Sequence, residues 1–440
     1  MKIEIRDNLL ARLRSGEPRF PGIVGFDETV LPHLERALIA GHDLVLLGER
    51  GQGKSRLIRT LGGLLDEWTP VVDGCEINDH PYAPVCVRCR RLLAEQGEDL
   101  PIEWKHRDDR YGEKLATPDT SVGDLIGDID PIKVAEGRTL GDPETVHYGL
   151  VPRTNRGIFC VNELPDLAER IQVSLLNVLE ERDVQIRGYA LRLPLDVLLV
   201  ASANPEDYTN RGRIITPLKD RFGAEIRTHY PLELDDELVL IGQEAQVTAA
   251  VPIHLMEVIA RFTRLVRESP AIDTRSGVSA RFAIAGTETV AASALRRGAI
   301  ADEDQPVARV CDLPSVVPTL LGKVEFEVSE EGREEEVLAH LLRRATSETW
   351  RRTLGAADLN GLLDRFERGA TVDSGELVPA SELLHRIGPV PGLSKILESL
   401  GMEGESPGHA AAALEFALEG LYLMRRLSKD TSDGTSTYRT

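Results

Sequence analysis

Hydrophobic residues along the chain follow two patterns. Short continuous apolar runs occur at residues 44–47, 158–161 and 197–201, as expected for strands buried in a parallel sheet. Before and between them, apolar residues recur at helical spacing, for example across residues 30–39 and 167–179. From Leu234 onward the helical pattern dominates. The pattern therefore predicts an α/β domain with a parallel sheet, followed by a mainly helical region.

The first apolar run leads into a glycine-rich turn that opens a predicted helix. The turn matches the pattern GxxxxGK[ST], and with the residue after it consists of Gly48, Glu49, Arg50, Gly51, Gln52, Gly53, Lys54, Ser55 and Arg56. Backbone N–H groups of such a turn, and the helix after it, favour a chain of phosphates. We expect Lys54 to contact the β- and γ-phosphates and Ser55 to bind magnesium. The alternative is that the motif occurs by chance in an unrelated strand–turn–helix. Because a predicted strand precedes the turn and a predicted helix follows it, a nucleoside triphosphate site is favoured.

Polar residues follow the next two predicted strands. Asn162 and Glu163 have the layout of a Walker B element, and Glu163 is predicted to polarise the attacking water. Asn204 can orient the same water, although a turn asparagine before a proline also explains it. Downstream, Arg221 is a candidate to stabilise the γ-phosphate of a neighbouring subunit. An alternating segment at residues 183–193 predicts a hairpin.

The connection between the glycine-rich turn and the Walker B element is unusually long. About a hundred residues separate them, more than an αβ connection needs, so insertions are predicted, with a short helix at 131–136. The first insertion holds three of the five cysteines, Cys75, Cys86 and Cys89. They are candidate ligands of a structural zinc, with His80, His106 or Asp79 as the fourth. Reduced thiols or a redox pair are the alternatives.

Composition narrows the classes of function. The chain has 440 residues and a formal net charge of −20, from 72 acidic and 52 basic residues, which disfavours sequence-independent binding of nucleic acid. No apolar run approaches the ~20 residues of a membrane span, and the first residues lack the apolar core of a signal peptide. An odd number of cysteines suits a reducing compartment. We therefore expect a cytoplasmic protein.

With these residues in place, the chain resembles AAA+ ATPases of the branch that includes MoxR proteins and the ATPase subunit of magnesium chelatase. Besides the glycine-rich turn, the resemblance lies at residues 125–130 and 149–158, which flank that branch's helix-2 insertion, and at 203–205 and 220–222. It covers about residues 20–300. The resemblance implies that Asn204 is sensor 1, that Arg281 is sensor 2 contacting the nucleotide from a helical lid, and that Arg221 is an arginine finger acting in trans.

The resemblance also implies the architecture and the partners. It implies a five-stranded parallel sheet, a helical lid and a hexameric ring with ATP and Mg²⁺ between subunits. Such ATPases remodel or insert metal into a partner protein, often one with a von Willebrand factor A domain. The corresponding domains are a nucleotide-binding domain with both insertions at 1–232, a lid at 233–300, and a mainly helical domain at 301–440 with a disordered tail.

One position departs from the family. In that family the Walker B element ends in Asp-Glu, whereas in this chain it ends in Asn162-Glu163. An amide oxygen accepts the hydrogen bonds that a carboxylate accepts but lacks the charge, so Mg²⁺ affinity is expected to fall. Two hypotheses follow: an ATP-hydrolysing ring motor or switch, and a nucleotide-gated scaffold with little hydrolysis. A DNA helicase or transcription activator is disfavoured by the acidic charge and by the absence of a GAFTGA-type loop.

Overall fold

The computed structural model describes residues 1–130, 132, 135, 145–180, 193–204, 212–273, 277–402, 406–432 and 434–440. These residues form two compact units, Met1–His229 and Tyr230–Thr440. Of the helix predicted at 131–136 only residues 132 and 135 are described, and of the hairpin predicted at 183–193 only residue 193 is described.

The first unit alternates strands and helices. Its described helices are α1 (Lys2–Ser15), α2 (Val30–Ile39), α3 (Lys54–Thr60), α4 (Val87–Gln96), α5 (Val122–Leu125), α6 (Leu150–Arg153), α7 (Glu169–Glu180) and α8 (Thr216–Arg221). Its described strands are β1 (Leu44–Leu47), β2 (Trp68–Val72), β3 (Ile102–His106), β4 (Tyr111–Leu115), β5 (Gly127–Ile129), β6 (Val146–Tyr148), β7 (Ile158–Asn162), β8 (Leu198–Ala203) and β9 (Ala224–Arg227).

Five of these strands form one parallel sheet in the order β4-β7-β8-β1-β9. Side chains alternate across it, so that Phe159 and Val161 of β7 join one buried cluster while Ile158 and Cys160 join the cluster on the other face. Because both faces of the sheet are covered, the three central strands β7, β8 and β1 are buried and mainly apolar, as the sequence indicated. The predicted parallel five-stranded sheet is confirmed.

Two antiparallel strand pairs lie outside this sheet and carry the predicted insertions. Strands β2 and β3 pair with each other, and α4 lies between them in sequence. Strands β5 and β6 pair on either side of the partly described segment 130–145. Cysteines 75, 86 and 89, Leu125, Val146 and Val151 belong to the same buried cluster, so both insertions pack on one face of the main sheet.

The second unit is mainly helical. Its described helices are α9 (Leu234–Glu244), α10 (Ile253–Glu268), α11 (Ala280–Ala301), α12 (Val316–Leu320), α13 (Glu334–Thr353), α14 (Asn360–Glu367), α15 (Ala380–Ile387), α16 (Leu393–Ser399) and α17 (Pro407–Leu423). Three strands, β10 (Val372–Gly375), β11 (Ser428–Ser432) and β12 (Thr435–Arg439), form an antiparallel sheet in the order β10-β12-β11.

The second unit differs from the predicted domains in two ways. One buried cluster runs from Ile241 to Tyr438, so the predicted lid and the predicted C-terminal domain share a core, and the unit begins at residue 230. The prediction of a disordered tail is wrong, because β11 and β12 form a hairpin. Its residues are polar, but the hairpin pairs with β10, and Tyr438 is buried and donates a hydrogen bond of 2.5 Å to Glu419.

Candidate functional site

The glycine-rich turn follows β1 and adopts a conformation that requires its glycines. Gly51 and Gly53 have φ values of 75° and 76°, in the left-handed region that glycine adopts readily. A Cβ atom on Gly48 would lie 1.9 Å from the Thr228 hydroxyl oxygen. The Gln52 side-chain oxygen accepts hydrogen bonds from the Glu49 N–H at 3.0 Å and from that hydroxyl at 2.9 Å. The loop is therefore held against the end of β9 in one shape.

Lys54 begins α3 and is buried, with 7% of its surface exposed. Its ammonium donates hydrogen bonds to the carbonyl of Gly48 and, at 2.9 Å, to the carbonyl of Glu49. The positive charge therefore lies inside the curve of the loop. Ser55, the next residue, is half-buried at the start of the helix. This arrangement is suited to a chain of phosphates with a bound cation.

Polar residues at the ends of β7 and β8 lie on the same edge of the sheet as the loop. The Ser202 hydroxyl donates to the Asn162 side-chain oxygen at 3.2 Å and accepts from the Glu163 N–H at 3.2 Å. Glu163 has φ 55° and ψ 50°, a left-handed conformation that is rare for a non-glycine residue and recurs at functional sites. Asn204 is buried directly after β8, whose last carbonyl, at Ala203, accepts the Gly48 N–H.

A carboxylate on the neighbouring strand, Glu113 of β4, was not predicted from the sequence. It accepts a hydrogen bond of 2.5 Å from the Asn162 amide and two of 2.9 Å from the Arg59 guanidinium of α3. The bonds from Arg59 lower the pKa of Glu113, so the carboxylate stays ionised at neutral pH. Arg59 follows Ser55 by four residues and shares its helix face. The structure thus places a negative charge beside Asn162.

Arg221 lies near the amino-terminal ends of the parallel strands, whereas the loop of its own chain lies at their carboxyl ends. It ends α8, and Gly223 after it donates its N–H to the carbonyl of Asp43, just before β1. The loop follows the other end of β1, and a four-residue strand separates the two edges by roughly 13 Å. The Arg221 guanidinium donates to Glu180 at 3.0 Å and to Asp220 at 2.8 Å. Arg221 is therefore not directed at the phosphate loop of its own chain.

The other residues predicted to bind the nucleotide or a metal do not all lie at the loop. Arg50 and Arg56 are exposed, and a Cβ atom on Gly22 would lie 2.7 Å from an Arg56 guanidinium nitrogen, so Arg56 packs on the turn at Gly22. Arg281 is exposed on α11 of the second unit, and its role as sensor 2 stays a prediction. The three predicted thiols come together with Asp79, whereas His80 and His106 are not part of the cluster.

Curated relatives with similar sequences are magnesium-chelatase subunits. The chain is 30% identical over 247 residues to the magnesium-chelatase subunit ChlI of Nostoc sp., covering 54% of this chain and 61% of that protein. It is 33% identical to the ChlI subunit of Synechocystis sp., covering 50% of this chain and 60% of that protein. It is 29% identical to the magnesium-chelatase 38 kDa subunit of Cereibacter sphaeroides, covering 50% of this chain and 62% of that protein. The chain thus spans less than two-thirds of the length of these relatives.

The model of the sigma-54 interaction domain family matches residues 138–221, within the first unit. The MoxR part of the predicted branch stays a prediction.

Solved structures align with this chain at low TM-scores and low sequence identity. One is a BchI–BchD model of magnesium chelatase, with a TM-score of 0.38, 21% identity, and coverage of 73% of this chain and 98% of that one. Another is RuvB of Thermotoga maritima, with a TM-score of 0.39, 14% identity, and coverage of 95% and 94%. Among the described helices of both units, none has the length and apolar character needed to cross a lipid bilayer.

Proposed function

We propose that this chain assembles into a ring, hexameric as the resemblance implies, that hydrolyses ATP at the junctions between copies and uses the energy to remodel a protein partner. One observation supports this most directly. The loop, Glu163 and Asn204 lie at the carboxyl ends of the parallel strands, while Arg221 lies at the edge formed by their amino-terminal ends. Copies stacked head to tail bring the Arg221 edge of one copy to the phosphate loop of the next, the arrangement of a heterologous ring interface.

The residues of one copy account for binding and for water activation. The N–H groups of the loop and the Lys54 ammonium hold the phosphates. Glu163 accepts a proton from the attacking water, whose oxygen bonds to the γ-phosphorus while the bond to the β–γ bridging oxygen breaks, releasing ADP and phosphate. Asn204, buried beside the loop, orients that water. Arg221 of the adjoining copy stabilises the negative charge of the transition state.

The donor groups present fit a magnesium ion bound with the nucleotide. Magnesium takes oxygen ligands, and it neutralises phosphate charge when bound. Ser55 offers a hydroxyl, and the Asn162 amide oxygen accepts a hydrogen bond as a carboxylate would. The Glu113 carboxylate, which is also paired with Arg59, lies within hydrogen-bond distance of the Asn162 amide and supplies negative charge next to it. Asn162 therefore keeps its place in the site, with the charge carried on β4.

Replacement of Glu113 by glutamine tests whether the Glu113 carboxylate supplies the negative charge that Asn162 lacks. We expect E113Q to raise the Mg²⁺ concentration needed for ATP binding and turnover by about tenfold, as for losses of groups that orient metal ligands. The measurement is a Mg²⁺ titration of fluorescent ATP-analogue binding, with a thermal melt to check folding. The double variant E113Q/N162D moves the carboxylate to the neighbouring strand and is expected to recover most of the affinity.

Arg59→Gln is the matched control, because it removes the other partner of Glu113 and leaves the carboxylate. It is expected to leave the Mg²⁺ requirement unchanged or lower it, since the carboxylate loses a competing cation. Equal increases for R59Q and E113Q would contradict the proposed charge and would indicate that the ion pair only supports the fold.

The partner and the location rest on resemblance. The curated relatives are named as subunits of magnesium chelatase, so each acts within a multi-subunit enzyme. By analogy we propose a protein partner for this chain, with a von Willebrand factor A domain as the resemblance implies. A cytoplasmic location stays a prediction.

Asn162 supports a second candidate, a scaffold that ATP binding assembles with little hydrolysis. Steady-state ATP turnover, measured together with sedimentation, separates the two. A motor hydrolyses ATP at a rate that E163Q and R221A abolish, whereas a scaffold assembles with ATP and shows no turnover above background. The Glu113 carboxylate beside Asn162 favours the motor.

A further inference from the structure

The first insertion brings together four buried potential metal ligands that the proposed ATPase cycle does not use. We name them the thiol cluster: Cys75, Asp79, Cys86 and Cys89. The three sulfur atoms and a carboxylate oxygen all lie within 4.8 Å of one another. None of the four residues is more than 7% exposed. From this geometry we infer that the thiol cluster binds one zinc ion with a structural role.

The spacing of the donor atoms suits a single ion. Tetrahedral zinc holds thiolate sulfurs at 2.3 Å, which places them about 3.8 Å apart, so the cluster needs only a small contraction to bind the ion. An iron–sulfur cluster distributes its thiolates over two or more irons, which places some of the sulfurs further apart than ligands of one ion. Three sulfurs with one oxygen are also a softer donor set than magnesium or calcium prefers.

A buried oxygen of Asp79 provides independent support. One carboxylate oxygen accepts a hydrogen bond of 2.9 Å from the Cys86 N–H, but the other, Oδ1, has no hydrogen-bond partner among the described residues. Asp79 is only 1% exposed, and leaving such an oxygen buried without a partner is costly. A cation at the centre of the thiol cluster satisfies it.

The backbone around the sulfurs is arranged to support thiolates. The Asp79 N–H donates to the Cys75 sulfur at 3.4 Å, and the Cys89 N–H donates to the Cys86 sulfur at 3.3 Å. Cys86 is also the N-cap of α4, where the helix favours negative charge. A disulfide between any two of the cysteines would still leave the buried Asp79 oxygen without a partner.

The structure selects the fourth ligand among the three residues that the sequence left open. His80 and His106 each use Nδ1 to accept a backbone N–H, from Tyr82 at 3.1 Å and from Asp108 at 3.3 Å. Neither belongs to the cluster. Asp79 does, so the ligand set is three thiolates and one carboxylate.

The position of the thiol cluster indicates what the ion does. Asn78, between two of the ligands, has a left-handed φ of 54°, and its amide donates to the carbonyls of Arg153 and Asn155 at 2.8 and 3.2 Å. Asn155 returns a hydrogen bond of 3.0 Å to the carbonyl of Ile77. These residues lead into β7, which ends at Asn162. Zinc therefore clamps the insertion to the segment that enters the Walker B strand.

Metal analysis of the full chain tests the inference. The protein is purified without metal affinity resin and under reducing conditions, and zinc is measured by inductively coupled plasma mass spectrometry. We expect about one zinc per chain, released when a mercurial reagent blocks the thiols. Cobalt in place of zinc is expected to give the visible bands of a tetrahedral thiolate site.

Variants separate the ligands from other residues. Asp79→Ala is expected to bind less than about a tenth of the wild-type zinc, and Asp79→Cys is expected to restore it by completing a four-thiolate site. Cys311→Ser, whose thiol lies in the second unit, is the control and keeps full zinc content.

Three outcomes would overturn the inference. They are a wild-type chain that takes up no zinc after reconstitution with zinc chloride, a disulfide within the cluster found by mass spectrometry of the freshly isolated protein, and D79A with wild-type zinc affinity. If D79A fails to fold, the wild-type stoichiometry and the D79C variant decide.

Discussion

Replacement of Glu163 by glutamine is expected to abolish ATP hydrolysis while leaving ATP bound. The variant keeps the size and shape of the side chain but removes the base that accepts the proton of the attacking water. Loss of a general base lowers turnover on the order of 10²-fold to 10⁴-fold. The loop and Lys54 are unchanged, so the dissociation constant for ATP is expected to stay within about twofold of wild type. Single-turnover hydrolysis and equilibrium binding of a fluorescent ATP analogue measure the two effects separately.

Glu169→Gln is the matched control for this substitution. Glu169 is an exposed acidic residue in the first turn of α7, six positions after Glu163. Its neutralisation changes the net charge of the chain by the same amount and is expected to leave turnover unchanged. Turnover above half of wild type in E163Q would contradict the assignment of the base. Equal losses in E163Q and E169Q would point to a general effect of charge.

Replacement of Lys54 by alanine is expected to weaken ATP binding by roughly 100-fold. The ammonium lies inside the loop and bonds two of its carbonyls, where the phosphates of the nucleotide compete for it. Loss of two charge-assisted hydrogen bonds from the ammonium to the phosphates costs about 3 kcal/mol, which is a loss of affinity of roughly 100-fold. Isothermal titration calorimetry with ATP and Mg²⁺ measures the change, and a thermal melt without nucleotide checks that the domain remains folded.

Lys219→Ala serves as the control for K54A. Lys219 is an exposed lysine on α8, paired with Glu225 at 3.2 Å. Its loss is expected to change ATP affinity by less than about twofold, because exposed ion pairs contribute little. An unchanged affinity in K54A would show that the glycine-rich turn is not the nucleotide site.

The core of the site was predictable because its signals are local in sequence. The loop, its lysine and the serine after it form one continuous motif, and each buried strand ends in the polar residue that it delivers to the sheet edge. Parallel pairing then places Asn162, Glu163 and Asn204 on the edge that carries the loop. The sequence could therefore predict the edge and its residues before any distances were known.

The parts that were missed depend on pairing between distant segments. Glu113 lies in a strand of ordinary polarity, and its proximity to Asn162 becomes evident only from the register of β4 with β7. Asp79 was one of three candidates, and its buried, unpartnered oxygen distinguishes it. The C-terminal hairpin contains serine, threonine, lysine and aspartate, which suggest disorder. Its order comes from pairing with β10, about 60 residues upstream.

Mixing two inactive variants tests the central claim, which is that ATP binds between copies and that an arginine of the next copy completes the site. E163Q carries an intact Arg221 but no base, and R221A carries an intact base but no arginine. If the arginine acts in trans, an equal mixture assembles junctions at random and recovers about a quarter of wild-type turnover. A mixture that co-assembles by sedimentation yet stays as inactive as its components would contradict the account, as would wild-type turnover of R221A alone.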